Sequence, residues 1–444
     1  VPGTARAPVL VGIVADDLTG AADTAVKFAT AGWPTVLDLP GGEPADAADG
    51  VLAVSTDARA LGEDARTVTA AAVTRLRGRG ATHLYLKVDS TLRGSVAHQV
   101  AGALDAWEAP GAVAVVCPAY PAMGRTVDGG VALAGGRRLQ DGPAGRDPVT
   151  PVATSVLGEL LPGAVHLGRP GAGPPDRAGA ALLAAVREAA FGDAGARVVT
   201  VDATGDVDLE AVAVAVAGGG PGLVPVGSAG LAGALARRWS RSPPLSTPSS
   251  RQQPDAPVHR AGAVLVLVTS LHDVAREQTG VLRDGWPHPA VHLAPSHGDL
   301  AHDGARTRWL ATADRSPRPD LLVLTAPPEP RGAAAAPGVA AALADVVAAL
   351  HRRDPLRAVV AVDGDGAEAL VRRWAATGMA VTGALAEGVP HGVLLGGTAD
   401  GLPLATKAGG FGAPGTLLDV VQRLSRSHTG AFTDPLTDPR GDLS

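Results

Sequence analysis

One cysteine in 444 residues, Cys117 in the apolar run VAVVCPAY, excludes an intramolecular disulfide and a cysteine-rich metal site. Its thiol is expected to pack as a small apolar group. Aromatic residues make up only 3% of the chain against 46% hydrophobic residues overall, so the core has to be built from Ala, Val and Leu. Such a core suits helices packed closely on a sheet. An excess of charge is missing too: a formal net charge of −6 over this length gives no electrostatic footprint for nucleic acid or an anionic membrane surface. No apolar run is long enough to span a bilayer, and VPGTARAPVLVGIV has no basic segment followed by a long apolar stretch. The expectation is a protein of the cytoplasm with no nucleic-acid or membrane partner. The twelve histidines form no ligand pattern, and without HExxH, CxxC or GxSxG the zincin, zinc-ribbon and α/β-hydrolase readings lack their defining residues.

What is present points to two α/β domains, the natural division for a chain of this length. Short runs rich in Val, Leu and Ile alternate with Ala-rich amphipathic stretches, as in β-α units around mostly parallel sheets. The expected strands are VLVGIVA, VLAVST, HLYLKVD, VAVVCP, RVVTVDA and GLVPVG, then AVLVLVTS, AVHLAP, LLVLTA and VVAVDG. Helices are expected over 20–31, stopped by Gly32, and over 205–217, 339–350 and 367–374. WSRSPPLSTPSSRQQPDAP has no apolar periodicity and reads as a linker. The division is therefore 1–240, a linker at 241–260, 261–425, and a polar, mobile tail at 426–444.

In open α/β sheets the ligand crevice lies beyond the carboxyl ends of the strands, so polar residues directly after an apolar run carry the most weight. Asp16 and Asp17 in VADDLTGAADTA end a strand just before a helix. They can orient hydroxyls, accept a proton or hold Mg²⁺ through water, or one of them can simply cap the helix. KVDSTLRGS gathers Lys87, Asp89, Ser90, Thr91 and Arg93, a grip for a polyhydroxylated carboxylate, or a salt bridge with an Asx turn. Arg59 and Arg125 also follow apolar runs. Gly227 and Ser228 can meet an anion or pack a helix tightly. In TKAGGFGAPGTLLDVV, Lys407 stands beside Gly409, Gly410 and Gly412, which let main-chain N–H groups approach phosphates. The run reads as neither GxxxxGK[ST] nor GxGxxG. Ser270, and Gly364, Asp365 and Gly366 after Asp363, stand where a helix N-terminus can face a nucleotide, or in ordinary βα turns.

Taken in order, ADDLTGAADTAVKFA, KVDSTLRGS, PAYPAMGRT, GSAGLA and TKAGGFGAPGTLLDVV resemble the four-carbon acid sugar kinase family, from about Val11 to Leu424. The resemblance implies two Rossmann-like domains with the active site in the cleft between them. It implies an N-terminal domain binding a sugar acid, a C-terminal domain binding ATP with Mg²⁺, and phosphorylation of a threonate, erythronate or oxo-tetronate type of substrate. On this reading Asp17 and Asp89 are catalytic, and Asp16, Arg59, Lys87, Ser90, Arg93 and Arg125 bind the sugar acid. Ser270, Gly364, Asp365, Gly366, Lys407, Gly409 and Gly410 line the nucleotide. No metal ligand is assigned and a homo-oligomer is left open. The chain departs from the family's usual turns at Thr269 and Ser270 and at Asp363 and Gly366. A non-catalytic sensor with the same fold is the alternative, and a phosphosugar hydrolase or isomerase a third reading.

Overall fold

The computed structural model describes residues 10–39, 50–109, 111–239, 262–313, 319–327 and 336–426. The expected linker at 241–260 and, beyond Arg426, the expected tail lie outside the described residues. The first half runs β1 (Leu10–Ala15), α1 (Leu18–Thr30), β2 (Thr35–Asp38), β3 (Gly50–Ser55), α2 (Asp64–Gly78), β4 (His83–Lys87), α3 (Val96–Ala106) and β5 (Val113–Cys117). A small antiparallel sheet of β6 (Arg125–Asp128), β7 (Val131–Ala134) and β8 (Arg137–Arg138) follows. Then come α4 (Leu157–Leu160), β9 (Val165–Leu167), α5 (Pro175–Phe191), β10 (Val198–Val201), α6 (Asp206–Gly219), β11 (Leu223–Gly227) and α7 (Ala229–Trp239). The second half runs β12 (Val264–Val268), α8 (Asp273–Gly285), β13 (Ala290–Leu293), α9 (His297–Leu300), α10 (Asp303–Ala313), β14 (Leu321–Thr325), α11 (Ala336–Arg353), β15 (Ala358–Val362) and α12 (Gly364–Arg373). It ends with β16 (Gly378–Ala386), β17 (Val389–Leu395), β18 (Pro403–Lys407) and α13 (Thr416–Arg426).

One 15-stranded sheet passes through both halves in the order β13-β14-β12-β15-β18-β17-β16-β2-β3-β1-β4-β11-β5-β10-β9. Its neighbours are parallel except around the β16–β17 hairpin, which pairs antiparallel with β18 on one side and β2 on the other. The mostly parallel α/β architecture is thus present as two parallel blocks joined by an antiparallel bridge that the apolar runs did not announce. Strands β1, β5, β12 and β15 are buried along their whole length, as strands covered by helices on both faces must be. Small residues let α1 lie close against the sheet: Ala21, Ala22 and Ala25 are fully buried there. Cys117 is fully buried and burial pushes its thiol up to about 12, so it packs as an apolar group.

Register decides where chemistry can gather. In the first block Ala15 of β1 stands beside Ser55 of β3 and Lys87 of β4, and Gly227 of β11 stands beside Lys87 and Cys117. The loops after these strands therefore open side by side at one edge. In the second block Val268, Val362 and Lys407 are level across β12, β15 and β18, so Ser270, Asp363 and Gly409 start adjacent turns.

Candidate functional site

At the first edge Arg59 is surrounded by carboxylates. Its Nε donates to Asp16 Oδ2 at 2.7 Å and its Nη2 to Asp16 Oδ1 at 3.2 Å, a two-pronged pair, while Nη2 also lies 2.9 Å from Asp17 Oδ2 and 3.5 Å from Asp89 Oδ2. Burial opposes the guanidinium's charge, but Asp17, Asp16 and Asp89 outweigh it and hold Arg59 charged. Asp16 is 1% exposed, and its burial pushes the carboxyl above the ordinary range in spite of Arg59. Asp17 caps α1, its Oδ1 accepting from Gly20 N–H at 2.6 Å.

The KVDSTLRGS loop is tied to itself through Asp89. Its Oδ1 accepts from Thr91 N–H and Thr91 Oγ1, both at 2.6 Å, and its Oδ2 accepts from Arg93 Nε at 2.9 Å. Burial raises the Asp89 carboxyl, yet Arg59, Arg93 and Lys87 together hold it well below the usual carboxylate range. Asp89 is a weak base with its lone pairs largely taken. Arg93 Nη1 also reaches Asp147 at 2.8 Å, and Ser95 binds the Arg59 carbonyl. The salt bridge and Asx turn are present here in buried form. Ser228 is likewise spent on packing: its hydroxyl donates to the Ala119 carbonyl at 2.7 Å and accepts from Gly230 N–H at 3.1 Å.

Two cations remain unspent. Lys87 is 6% exposed and, among the described residues, forms neither a hydrogen bond nor an ion pair. A Cβ on Gly20 would lie 2.9 Å from Lys87 Nζ, which places the ammonium against the first turn of α1. Arg125, half-buried, donates to Ser90 Oγ and forms no carboxylate pair among the described residues. Three further groups complete this end: Asp23 on α1, Tyr120 after β5, and Glu387 from the turn between β16 and β17. Glu387 accepts from Lys27 Nζ at 2.7 Å and from the Tyr120 hydroxyl, and so brings the second half onto the first. The sequence reading had not singled out Asp23, Tyr120 or Glu387.

The second edge is built from backbone. Gly409 packs so closely on Ser270 that a Cβ there would meet Ser270 Oγ at 2.0 Å. Gln278, fully buried on α8, donates from Nε2 to the carbonyls of Phe411 at 3.1 Å and Ala413 at 2.8 Å, pinning the glycine loop. One reading of that loop needs correcting: Gly410, Gly412 and Gly415 do follow GxGxxG spacing, and they sit between β18 and α13. Asp363, at φ 110°, caps α12 by accepting from Gly364 N–H at 2.8 Å, and its own N–H donates to the Lys407 carbonyl at 2.8 Å. Burial raises the Asp363 carboxyl, and the like charges of Asp365 and Asp17 push the same way. Lys407, 1% exposed, donates to the Ala408 carbonyl at 2.8 Å, and burial lowers its ammonium to about 8 against the pull of Asp363. Gly366 packs on Thr269, and Asp365 is exposed on the first turn of α12.

The two edges approach each other at the starts of α1 and α12. A Cβ on Gly364 would lie 3.2 Å from Thr19 Oγ1, and Asp17 is near enough to shift Asp363. Asp16, Asp17, Arg59, Lys87, Asp89, Ser90, Arg93 and Arg125 thus gather at the first edge, while Ser270, Gly364, Asp365, Gly366, Lys407, Gly409 and Gly410 belong to the adjacent turns of the second, of which Gly364 lies against Thr19. Among the described residues no helix is long and apolar enough to cross a membrane, and no group of three or more His, Cys, Asp or Glu is arranged to hold a metal ion.

Residues 11–235 match a family model described as a sugar-binding N-terminal domain, and residues 265–417 one described as a nucleotide-binding C-terminal domain. The chain is 40% identical to a D-threonate kinase of Bordetella bronchiseptica over 93% of its length and 97% of that protein's. It is 33% identical to a D-threonate kinase of Cupriavidus necator, over 94% and 98% respectively. A 3-oxo-tetronate kinase of Methylobacterium radiotolerans is 30% identical over 90% and 96%. A crystal structure from Salmonella typhimurium shares the fold with a TM-score of 0.76 at 23% identity, covering 92% of this chain and 98% of that one.

Proposed function

The chain belongs to the four-carbon acid sugar kinase family, and from that premise we propose that it transfers the terminal phosphoryl group of ATP to a hydroxyl of a four-carbon sugar acid. The approach of α1 to α12, where a Cβ on Gly364 would lie 3.2 Å from Thr19 Oγ1, is the observation that carries the reading, because it brings the helix that Asp17 caps up to the turn that Asp363 caps. Lys87 and Arg125 take the substrate carboxylate, Arg doing so in two-pronged fashion. Asp17 orients the attacking hydroxyl; its oxygen bonds to the terminal phosphorus, the bond to the bridging oxygen breaks, ADP leaves, and the hydroxyl proton passes to the Asp17 carboxylate. Phosphoryl transfer asks chiefly for such alignment and for neutralisation of charge. Asp89 serves as an anchor for Arg59 and Arg93 rather than as a base, since its lone pairs are committed.

On the other side the N–H groups around Gly409 and Gly410, with Lys407 and Ser270, seat the phosphates. The carboxylates of Asp363 and Asp365 at the start of α12 are hard oxygen donors that would hold a Mg²⁺ ion accompanying the phosphates, and the ion would supply charge neutralisation. The division at residues 1–240 and 261–425 is proposed as the boundary between sugar-acid and nucleotide lobes. A coupled ADP-release assay over D-threonate, D-erythronate and 3-oxo-tetronate tests the reading. Saturable turnover with at least one acid is expected. Binding without turnover would replace the kinase by a sensor, and phosphate release from phosphosugars without nucleotide would replace it by a hydrolase.

A further inference from the structure

We propose that Asp23 is a specificity residue of the sugar-acid site, accepting a hydrogen bond from a substrate hydroxyl that does not react. The inference rests on the kinase reading above and names a contact which that reading leaves open. Asp23 Oδ1 is buried and has no hydrogen-bond partner among the described residues. Buried carboxylate oxygens are ordinarily satisfied, because leaving one bare forfeits its hydration without return. Burial raises this carboxyl above the usual range in spite of Lys27 and Lys87, so the neighbouring charge does not compensate it.

The surrounding donors are turned elsewhere. Lys27, one turn further along α1, donates to Glu387, and so does the Tyr120 hydroxyl. Arg125 donates to Ser90. Lys87 on β4 makes no hydrogen bond among the described residues. Asp23 therefore faces Lys27, Lys87, Arg125, Tyr120 and Glu387, and none of them completes it. A substrate hydroxyl both donates and accepts, and so can answer the bare acceptor of Asp23 while taking a bond from a nearby donor such as the Lys87 ammonium. Asp23 lies six residues beyond Asp17, about 9 Å along the helix axis at 1.5 Å per residue. The hydroxyl it takes is therefore not the one Asp17 presents to the phosphate.

The test compares kcat/KM for the preferred trihydroxy acid with that for 2,4- and 3,4-dihydroxybutanoate, using the analogue that keeps the reacting hydroxyl, in the wild type, Asp23→Ala and Asp23→Asn. A site built to bind a hydroxyl rejects the analogue lacking it, here by about 100-fold or more in the wild type. Asp23→Ala should shrink that ratio to within about fivefold by losing activity on the trihydroxy acid, and Asp23→Asn, which keeps an acceptor oxygen, should fall between. A purely structural role would lower both substrates alike and leave the ratio standing, which overturns the proposal. A wild type that turns over the trihydroxy and deoxy acids equally overturns it without any variant. If the wild type turns over no four-carbon acid, the kinase reading itself has failed, and this inference falls with it.

Discussion

The first half arms its strand ends with charged side chains, and Asp16, Arg59, Asp89 and Arg93 are then consumed by pairing with one another. The second half arms its strand ends with glycines, held in place by Ser270 and Gln278, and leaves the backbone to make contact. A small carboxylate with several hydroxyls needs directional partners, whereas phosphates accept any well-placed N–H. Among the described residues the ion pairs of the first side leave out Lys87, Arg125 and Asp23. Such a scaffold is costly to break, because removing one member leaves another buried and charged.

That contrast is broken if Asp17 and Asp89 behave alike. Asp17→Asn should lower kcat by about 1,000-fold while leaving the KM for ATP within about twofold, as steady-state kinetics would show. Asp89→Ala should act on the fold instead. Freeing Arg93 and Arg59 from a buried partner should cost about 3 kcal/mol in denaturant unfolding. On the backbone side Gly409→Ala forces a methyl into Ser270, and the strain should raise the KM for ATP about tenfold and leave that for the sugar acid nearly unchanged.

The smallest effect is one of pH. Burial lowers Lys407 from 10.5 to about 8, so between those values the unfolded chain holds a proton that the folded chain has released, and stability rises with pH across that window. The cation offered to a phosphate fades over the same range. The kcat/KM for ATP should decline above pH about 8 in the wild type, and Lys407→Met should lack that limb.

The parallel strands were legible because a strand buried on both faces has to be a continuous apolar run, and LVGIVA or VLVLV cannot be much else. The β16–β17 hairpin was not. GMAVTGALA mixes glycine and small residues with bulges at Val381 and Ala384, and its burial alternates irregularly, so no run stands out. Nor did the short β2, β9 and β18, or the small sheet that carries Arg125. The clusters that stand directly after strands were found, since register gathers them. Glu387 meets Lys27 across 360 residues of chain, and nothing local marks it. Asp23 left a faint trace: Gly20, Asp23 and Lys27 repeat at helical spacing, and Asp23 and Lys27 are the charged residues of an otherwise uncharged helix. Asp89 was legible in place, but its ties to Thr91, Arg93 and Arg59 close on it only in three dimensions.

A crystal structure with a nonhydrolysable ATP analogue and the preferred sugar acid puts the whole account at risk in one measurement. The acid's carboxylate should lie on Lys87 and Arg125, the terminal phosphate over Gly409 and Gly410, and one hydroxyl beside Asp17 roughly 3 to 3.5 Å from the terminal phosphorus. A nucleotide bound away from the glycine loop, or an acid bound out of reach of its terminal phosphate, would contradict it.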